Sequence, residues 1–241
     1  FVLLLQFYVM IIVFLEFGKV GERLPDFNLT PPALLLISFI LLIALGTGLL
    51  MLPEMKAGHG SLDFITALFT SISASCVTGL SLIDISTVLS FKGQMIVMLL
   101  MQLGGLNIIS FAALFAILRG GFGMRQQNFM SENLGESMLQ SGKLVGSIFR
   151  LTLTIELIGA ILLGIFWFPK FDSLGNTLFF SVFHSISAFN NAGFSLFSDS
   201  LATEGSAFLP AIHWVIALLI ILGGIGFGTL SDVLSQSWRN Q

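Results

Sequence analysis

The feature that most constrains the fold is a ten-residue motif that occurs twice. Ser71-Ile-Ser-Ala-Ser-Cys-Val-Thr-Gly-Leu80 returns 114 positions later as Ser185-Ile-Ser-Ala-Phe-Asn-Asn-Ala-Gly-Phe194. In each copy a short apolar segment, about half the length needed to cross a bilayer, leads into a small-residue turn that contains a glycine. Long apolar segments flank both copies. The pattern indicates a duplicated re-entrant pore loop, with a tight turn between two helices of a membrane bundle as the alternative.

Composition places this duplicated unit in a membrane. The chain has 241 residues, of which 55% are hydrophobic and only 10% charged, a balance outside the range of soluble globular proteins. Several apolar runs exceed about 18 residues, and no ten-residue segments alternate in polarity, so the spans are predicted to be helices. The predicted fold class is an all-α membrane protein built from tandem helix–pore-loop–helix repeats.

The order of apolar and polar segments predicts four regions. They are a partial N-terminal transmembrane helix with a cytoplasmic loop (1–32), a first repeat (33–119), a cytoplasmic loop (120–143) and a second repeat (144–241). Seven of the ten Lys and Arg residues fall on the side of the 120–143 loop, which is therefore predicted to be cytoplasmic. This arrangement predicts a multi-pass protein of the cytoplasmic membrane.

Each repeat is predicted to hold two long helices with a short one between them. The short helices are expected at 62–73 and 174–187, the first with Ser61 as N-cap and Asp63 in its first turn. The long helices are expected at about 33–52, 94–118, 144–168 and 208–230. Adjacent glycines at 104–105 predict close helix packing or a local break, and those at 223–224 predict close packing. They do not form a dinucleotide-binding motif, because no strand precedes them.

The turn after each short helix has the chemistry of a cation pathway. Residues 75–79 have small side chains, two of them with hydroxyls, and a glycine that is free to adopt a positive φ. Gly193 is the corresponding glycine of the second copy. Backbone carbonyls in such a loop replace the hydration shell of a potassium ion in potassium channels. The candidate ion-binding residues are Ser75, Cys76, Val77, Thr78 and Gly79 in the first copy and Asn190, Asn191, Ala192 and Gly193 in the second.

Glu156 lies within a predicted membrane span, where an ionised carboxylate is costly. It is either a functional group or a hydrogen-bonded residue inside the helix bundle, and the sequence does not separate the two. The second functional hypothesis, after a cation pathway, is an intramembrane enzyme that uses Ser185, His184 and Glu156. It is a weak alternative, because adjacent positions in the chain do not direct the histidine ring at the serine hydroxyl. A structural subunit that conducts no ions is the third hypothesis.

No prosthetic group is expected. The single cysteine, Cys76, and the three histidines show no spacing typical of metal ligands. Potassium would be the transported ion rather than a bound cofactor, and the expected surroundings are membrane lipid, with no nucleic acid. The chain begins at Phe1 inside an apolar run, which favours an origin in a longer protein.

Three motifs carry a resemblance to a known family. They are Phe183-His-Ser-Ile-Ser-Ala-Phe-Asn-Asn-Ala-Gly-Phe194, Gln102-Leu-Gly-Gly-Leu106 and Leu222-Gly-Gly-Ile-Gly226. Together they resemble the Trk/Ktr/HKT superfamily of potassium transporters, over about residues 33–234. The resemblance implies four repeats around one ion path and assembly as a homodimer. This chain has two of those repeats. Either the other two lie in the same longer protein, which we expect, or two chains pair to complete a pore.

The resemblance also assigns roles to residues. It implies that Gly79 and Gly193 are filter glycines of the first two repeats, with potassium bound at Thr78, Gly79, Ala192 and Gly193. It further implies a cytosolic nucleotide-binding regulatory subunit, which would meet the side of the molecule formed by residues 119–143.

Overall fold

The computed structural model of the protein describes residues 31–106, 143–171, 173–202 and 210–225. The chain divides into two compact units, one of Phe1–Ser38 and Ile108–Val145 and the other of Phe39–Asn107 and Gly146–Gln241. Nearly all of the first unit lies outside the described residues. The predicted N-terminal helix and the 120–143 loop belong to that part, and every contact reported below lies within the second unit.

The described residues are mostly helical and contain no strand, as the prediction of an all-α fold requires. In chain order the helices are α1 (Pro31–Leu50), α2 (Phe64–Ser75), α3 (Ile85–Val88), α4 (Phe91–Gly105), α5 (Lys143–Trp167), α6 (Leu174–Phe189) and α7 (Pro210–Ile225). Three short 3-10 turns lie at Pro53–Met55, Phe168–Lys170 and Ser200–Ala202.

The two short helices form where the duplicated motif predicts them. Helix α2 has 12 residues and α6 has 16, so they are roughly 18 and 24 Å long. Both fall short of a hydrocarbon core of about 30 Å. Each ends two residues later than predicted, at Ser75 and Phe189, immediately before the turn that carries the glycine.

The N-cap predicted for α2 was wrong. Asp63, expected in the first turn, is itself the cap: its extended backbone precedes the helix, and its carboxylate accepts a hydrogen bond from the Thr66 amide at 3.0 Å. Ser61 lies two residues outside the helix. Asp is as good a cap as Ser, and here it is the Asp63 side chain that accepts from an unpaired amide of the first turn.

The long helices follow the predictions closely where they are described. Helices α1 and α5 begin and end within two residues of the expected positions, and α4 begins three residues early because Ser90 caps it by accepting from the Gly93 amide. Helix α4 ends at Gly105, and Leu106, which was predicted to be helical, is its C-cap. The rest of the predicted α4 (107–118) and of α7 (226–230) lies outside the described residues.

Each short helix packs against the long helix that follows it, α2 against α4 and α6 against α7, and α4 also contacts α6. One buried serine on each short helix bonds to the long helix before it. Ser71 donates to the carbonyl of Ile43 at 2.9 Å, and Ser185 donates to the carbonyl of Glu156 at 2.6 Å. The short helices are therefore held between long ones, with their C-terminal ends inside the structure.

One helix in the described ranges, Phe149–Lys170, is long and apolar enough by length and composition to cross a membrane. Leu36–Leu50, Phe64–Ser75 and Pro210–Ile225 are shorter apolar helices. Large apolar side chains such as Leu157 and Ile165 on α5 are exposed. Exposure of this kind suits contact with lipid tails, which are as apolar as the side chains themselves.

Candidate functional site

The turns that follow α2 and α6 have the same backbone hydrogen bonds. We call residues 75–79 the first glycine segment and residues 190–193 the second glycine segment. In each segment, three successive amides donate to carbonyls in the last turn of the short helix. In the first segment the bonds are Cys76 to Ile72 (2.8 Å), Val77 to Ala74 (3.3 Å) and Thr78 to Ser73 (2.9 Å). In the second, every donor and acceptor lies 114 positions later: Asn190 to Ile186 (3.0 Å), Asn191 to Ala188 (3.0 Å) and Ala192 to Ser187 (2.7 Å).

Both segments use left-handed backbone conformations at matching positions. Gly79 has a φ of +74° and Gly193 a φ of +72°, which confirms the positive φ expected from the sequence. Two residues earlier, Val77 (+56°) and Asn191 (+58°) are also left-handed. For a β-branched residue such as Val77 this conformation is strained, and strain of this kind clusters at functional sites.

The two glycine segments lie side by side. A Cβ atom added to Gly193 would stand 3.7 Å from the Cα of Gly79. A Cβ atom added to Gly79 would overlap the carbonyl oxygen of Ala192. The backbones of the two segments therefore meet at the glycines that the sequence places 114 positions apart.

Several carbonyls in these segments have no protein partner among the described residues. The backbone oxygens of Val77, Thr78 and Gly79, and those of residues 191–193, accept no hydrogen bond from any other described residue. Val77, Gly79 and Ala192 are buried or half-buried, where most carbonyls are paired with protein or water, whereas Thr78, Asn191 and Gly193 are exposed. Two adjacent turns thus carry six carbonyls with no partner in the described part of the chain, which makes a site rich in oxygen atoms that can coordinate a cation.

The glycine pairs that follow each segment allow close packing, as predicted. A Cβ at Gly104 would overlap the carbonyl oxygen of Ser75, and one at Gly223 would overlap the carbonyl oxygen of Phe189. These carbonyls belong to the last residues of α2 and α6. Helices α4 and α7 thus approach the C-terminal ends of the short helices as closely as backbones can.

Glu156 is buried, with 5% of its surface exposed, and both carboxylate oxygens accept hydrogen bonds. Gln102 on α4 donates to one oxygen at 3.0 Å, and Asn190 of the second glycine segment donates to the other at 3.1 Å. Glu156 is thus a hydrogen-bonded residue inside the bundle, and the functional role that its position also suggested stays a prediction. Gln102 was missed as a site residue, although a polar side chain in an apolar span was the available signal.

The residues proposed for an enzyme do not form a catalytic arrangement. Ser185 donates to the backbone of Glu156 rather than to a histidine. The ring of His184 contacts the carbonyl of Phe180 at 2.8 Å and the hydroxyl of Ser195 at 3.1 Å, inside a cluster of aromatic rings that includes Trp167. A nucleophile without a base beside it does not support acyl transfer.

Helical spans, exposed apolar surface and paired glycine segments define the class as an all-α membrane protein. Residues 5–239 match the TrkH family, described as a cation transport protein, and the chain belongs to that family. This is a family of membrane transporters, not of enzymes, so a membrane location follows.

Similar proteins come from several bacteria. The chain is 41% identical over 211 residues to Ktr system potassium uptake protein B of Bacillus subtilis (strain 168), covering 86% of this chain and 46% of that protein. It is 37% identical over 210 residues to the protein of that name from Vibrio alginolyticus, with 86% and 45% covered. Potassium/sodium uptake protein NtpJ of Enterococcus hirae is 37% identical over 211 residues, with 86% and 46% covered. The chain thus spans about half the length of the curated relatives it matches.

Proposed function

We propose that this chain is about half of a transporter that takes up potassium across the cytoplasmic membrane through a filter lined by backbone carbonyls. The observation that carries the proposal is the pair of adjacent glycine segments with matching hydrogen bonds and carbonyls that have no described protein partner. Potassium holds its water loosely enough that a set of carbonyl dipoles can replace the hydration shell. Potassium uptake in the names of the relatives supports the same ion.

The proposed ion-binding residues are those of the two glycine segments, with potassium at Thr78, Gly79, Ala192 and Gly193. Two further properties of the architecture favour this assignment. The short helices end at the segments, so the negative ends of their dipoles lie there, a field that favours a cation. Matching bonds and matching conformations 114 positions apart also support tandem repeats arranged in the same sense.

Two glycine segments surround an ion on only part of its circumference. We therefore propose that two further repeats of the whole protein complete the filter, consistent with the half-length match to the relatives. We also propose assembly as a homodimer and a cytosolic nucleotide-binding regulatory subunit on the side of residues 119–143. Mass measurement of the purified whole protein in detergent tests the homodimer, and co-purification with a candidate subunit tests the regulatory partner.

Cation flux tests the function directly. The full-length protein that carries this chain is reconstituted into vesicles. The entry of rubidium or potassium, driven by a potassium gradient, is then measured with sodium as competitor. We expect saturable entry that sodium inhibits weakly. A matched control is Gly48→Ala, because an added Cβ there meets no atom within 4 Å. Vesicles that hold correctly folded protein and show no flux above empty vesicles would favour a structural subunit instead.

A further inference from the structure

Three polar side chains from separate parts of the chain meet beside the second glycine segment. We call Gln102 of α4, Glu156 of α5 and Asn190 the carboxyl triad. Gln102 and Asn190 are 88 positions apart, and Glu156 lies between them in sequence. Asn190 has 9% of its surface exposed and Glu156 has 5%. Buried polar groups of this kind are costly unless each has a partner, and here each does.

Asn190 is the centre of the triad. Its side-chain nitrogen lies 3.1 Å from a carboxylate oxygen of Glu156, 3.3 Å from the amide oxygen of Gln102 and 2.9 Å from the carbonyl of Ile186. Two hydrogens thus serve three acceptors, one of them a carbonyl in the last turn of helix α6. A Cβ at Gly105 would overlap this side chain, so the glycine leaves the space that Asn190 fills.

The same position in the first glycine segment is built differently. Cys76 occupies it, 114 positions earlier, and its exposed side chain makes no hydrogen bond to another described residue. Of the two segments, only the second has a first side chain, Asn190, that bonds to two long helices, α4 and α5. Helix α4 is the one that follows the first segment in the chain. Contacts from both halves of the chain therefore fix the position at which the backbone of the second segment leaves α6.

We propose that Glu156 is a positioning residue for ion selection: with Gln102 it holds Asn190, and so sets the geometry of the carbonyls at residues 191–193. The inference rests on the function proposed above and adds a residue set to it. Glu156 need not touch the ion, because it acts through the Asn190 side chain. A carbonyl displaced by a fraction of an ångström changes the balance between potassium and sodium, which differ in size and hydration.

The triad offers a test by exchange of its two partners. Glu156→Gln replaces an acceptor oxygen by an NH₂ group. However the amides at positions 102 and 156 are turned, one of their nitrogens then faces another nitrogen, either between them or at Asn190. Gln102→Glu instead sets two carboxyl groups face to face, and two ionised carboxylates have no donor for this contact unless the pair takes up a proton. The double variant Gln102→Glu/Glu156→Gln restores one carboxyl group and one amide, so every contact again joins a donor to an acceptor.

The experiment measures potassium-to-sodium preference by competition in vesicles that hold the full-length protein. Each single variant is expected to lower the ratio by about fivefold or more, the size of effect that an unpaired buried polar group produces. The exchange variant is expected to return to within about twofold of wild type. Thr154→Val is the control on the same helix, because its hydroxyl is exposed and, among the described residues, bonds only to the Arg150 carbonyl one turn away.

Single variants with an unchanged ratio, or an exchange variant no better than the worse single one, overturn the proposal. If the single variants fail to reach the membrane, the exchange variant decides alone: wild-type preference supports the triad and lowered preference refutes it. Absence of potassium flux in the wild type would instead remove the proposed function and the triad's role with it. Normal wild-type flux with insensitive variants removes only the triad.

Discussion

Gly79 and Gly193 lie against each other, with the Cα of Gly79 3.7 Å from where a Cβ of Gly193 would stand. The contact is asymmetric. A Cβ on Gly79 would overlap the Ala192 carbonyl oxygen, whereas one on Gly193 would make ordinary van der Waals contact. Both residues have a positive φ, so any side chain strains the backbone at either position.

Replacing either glycine by serine is expected to lower the preference for potassium over sodium. The left-handed conformation costs an L-residue about 1–2 kcal/mol, which corresponds to roughly a fivefold to thirtyfold change in an equilibrium. Gly79→Ser is expected to have the larger effect because it also displaces the Ala192 carbonyl. Cation competition curves on the full-length protein, at matched membrane expression, measure the change.

Gly48→Ala is the control for this pair, since its added methyl group meets open space. An unchanged ratio in both serine variants would remove the two glycines from the filter. An effect at Gly193 larger than that at Gly79 would contradict the asymmetry of the contact.

The glycines that touch the ends of the short helices are expected to matter for stability. Gly104→Ala and Gly223→Ala place a methyl group on the carbonyl oxygens of Ser75 and Phe189, which are backbone atoms and cannot rotate away. Overpacking of this kind costs about 1–3 kcal/mol. Thermal unfolding of the purified protein should show a lower Tm for both.

Gly164→Ala is the comparison for these variants, because its nearest neighbour is the flexible Ser181 hydroxyl at 3.5 Å. It should leave Tm close to that of wild type. Equal losses in all three variants would point to a general effect of alanine in these helices rather than to the close approach.

The serines that hold the short helices are expected to contribute similarly to one another. Ser71→Ala and Ser185→Ala each remove a buried hydrogen bond to the preceding long helix, and each should lower the free energy of unfolding by about 1 kcal/mol. Denaturant titration of the full-length protein measures both. A loss at one serine alone would contradict the correspondence of the two halves.

The Asp63 cap should make stability depend on pH. Hydrogen bonds from Thr66 hold the pKa of Asp63 below its ordinary value of 3.8. A lowered folded pKa means that the ionised cap stabilises the protein above the unfolded pKa, and that this contribution disappears as pH falls through the folded pKa. Asp63→Ala should therefore lower Tm at neutral pH and make little difference in strong acid.

Asp63→Asn separates capping from charge, because asparagine caps a helix without titrating. Its Tm at neutral pH should stay near that of wild type. A difference between wild type and Asp63→Ala that persists unchanged in strong acid would show that the carboxylate does not act as the cap.

Much of the helical layout was predictable because it depends on local properties. The lengths of α2 and α6 follow from apolar runs too short to span a bilayer, and the positive φ at Gly79 and Gly193 follows from a tight turn that only glycine accommodates easily. The error at Asp63 was also local: two good capping residues stood two positions apart, and the choice depended on which one faced a free amide. The proposed domain limits and ion-binding residues stay predictions.

The sequence by itself determined the class of protein, the two short helices and the conformation of their glycines, since each depends on residues close together in the chain. Only the tertiary structure decided that Gly79 meets Gly193 and that Gln102, Glu156 and Asn190 converge. The physical reason is that a polar residue in an apolar segment shows that a partner is needed, while the partner's identity depends on how helices pack. Glu156 indicated a buried site from the sequence, and the packing of α4 and α6 supplied the two amides that complete it.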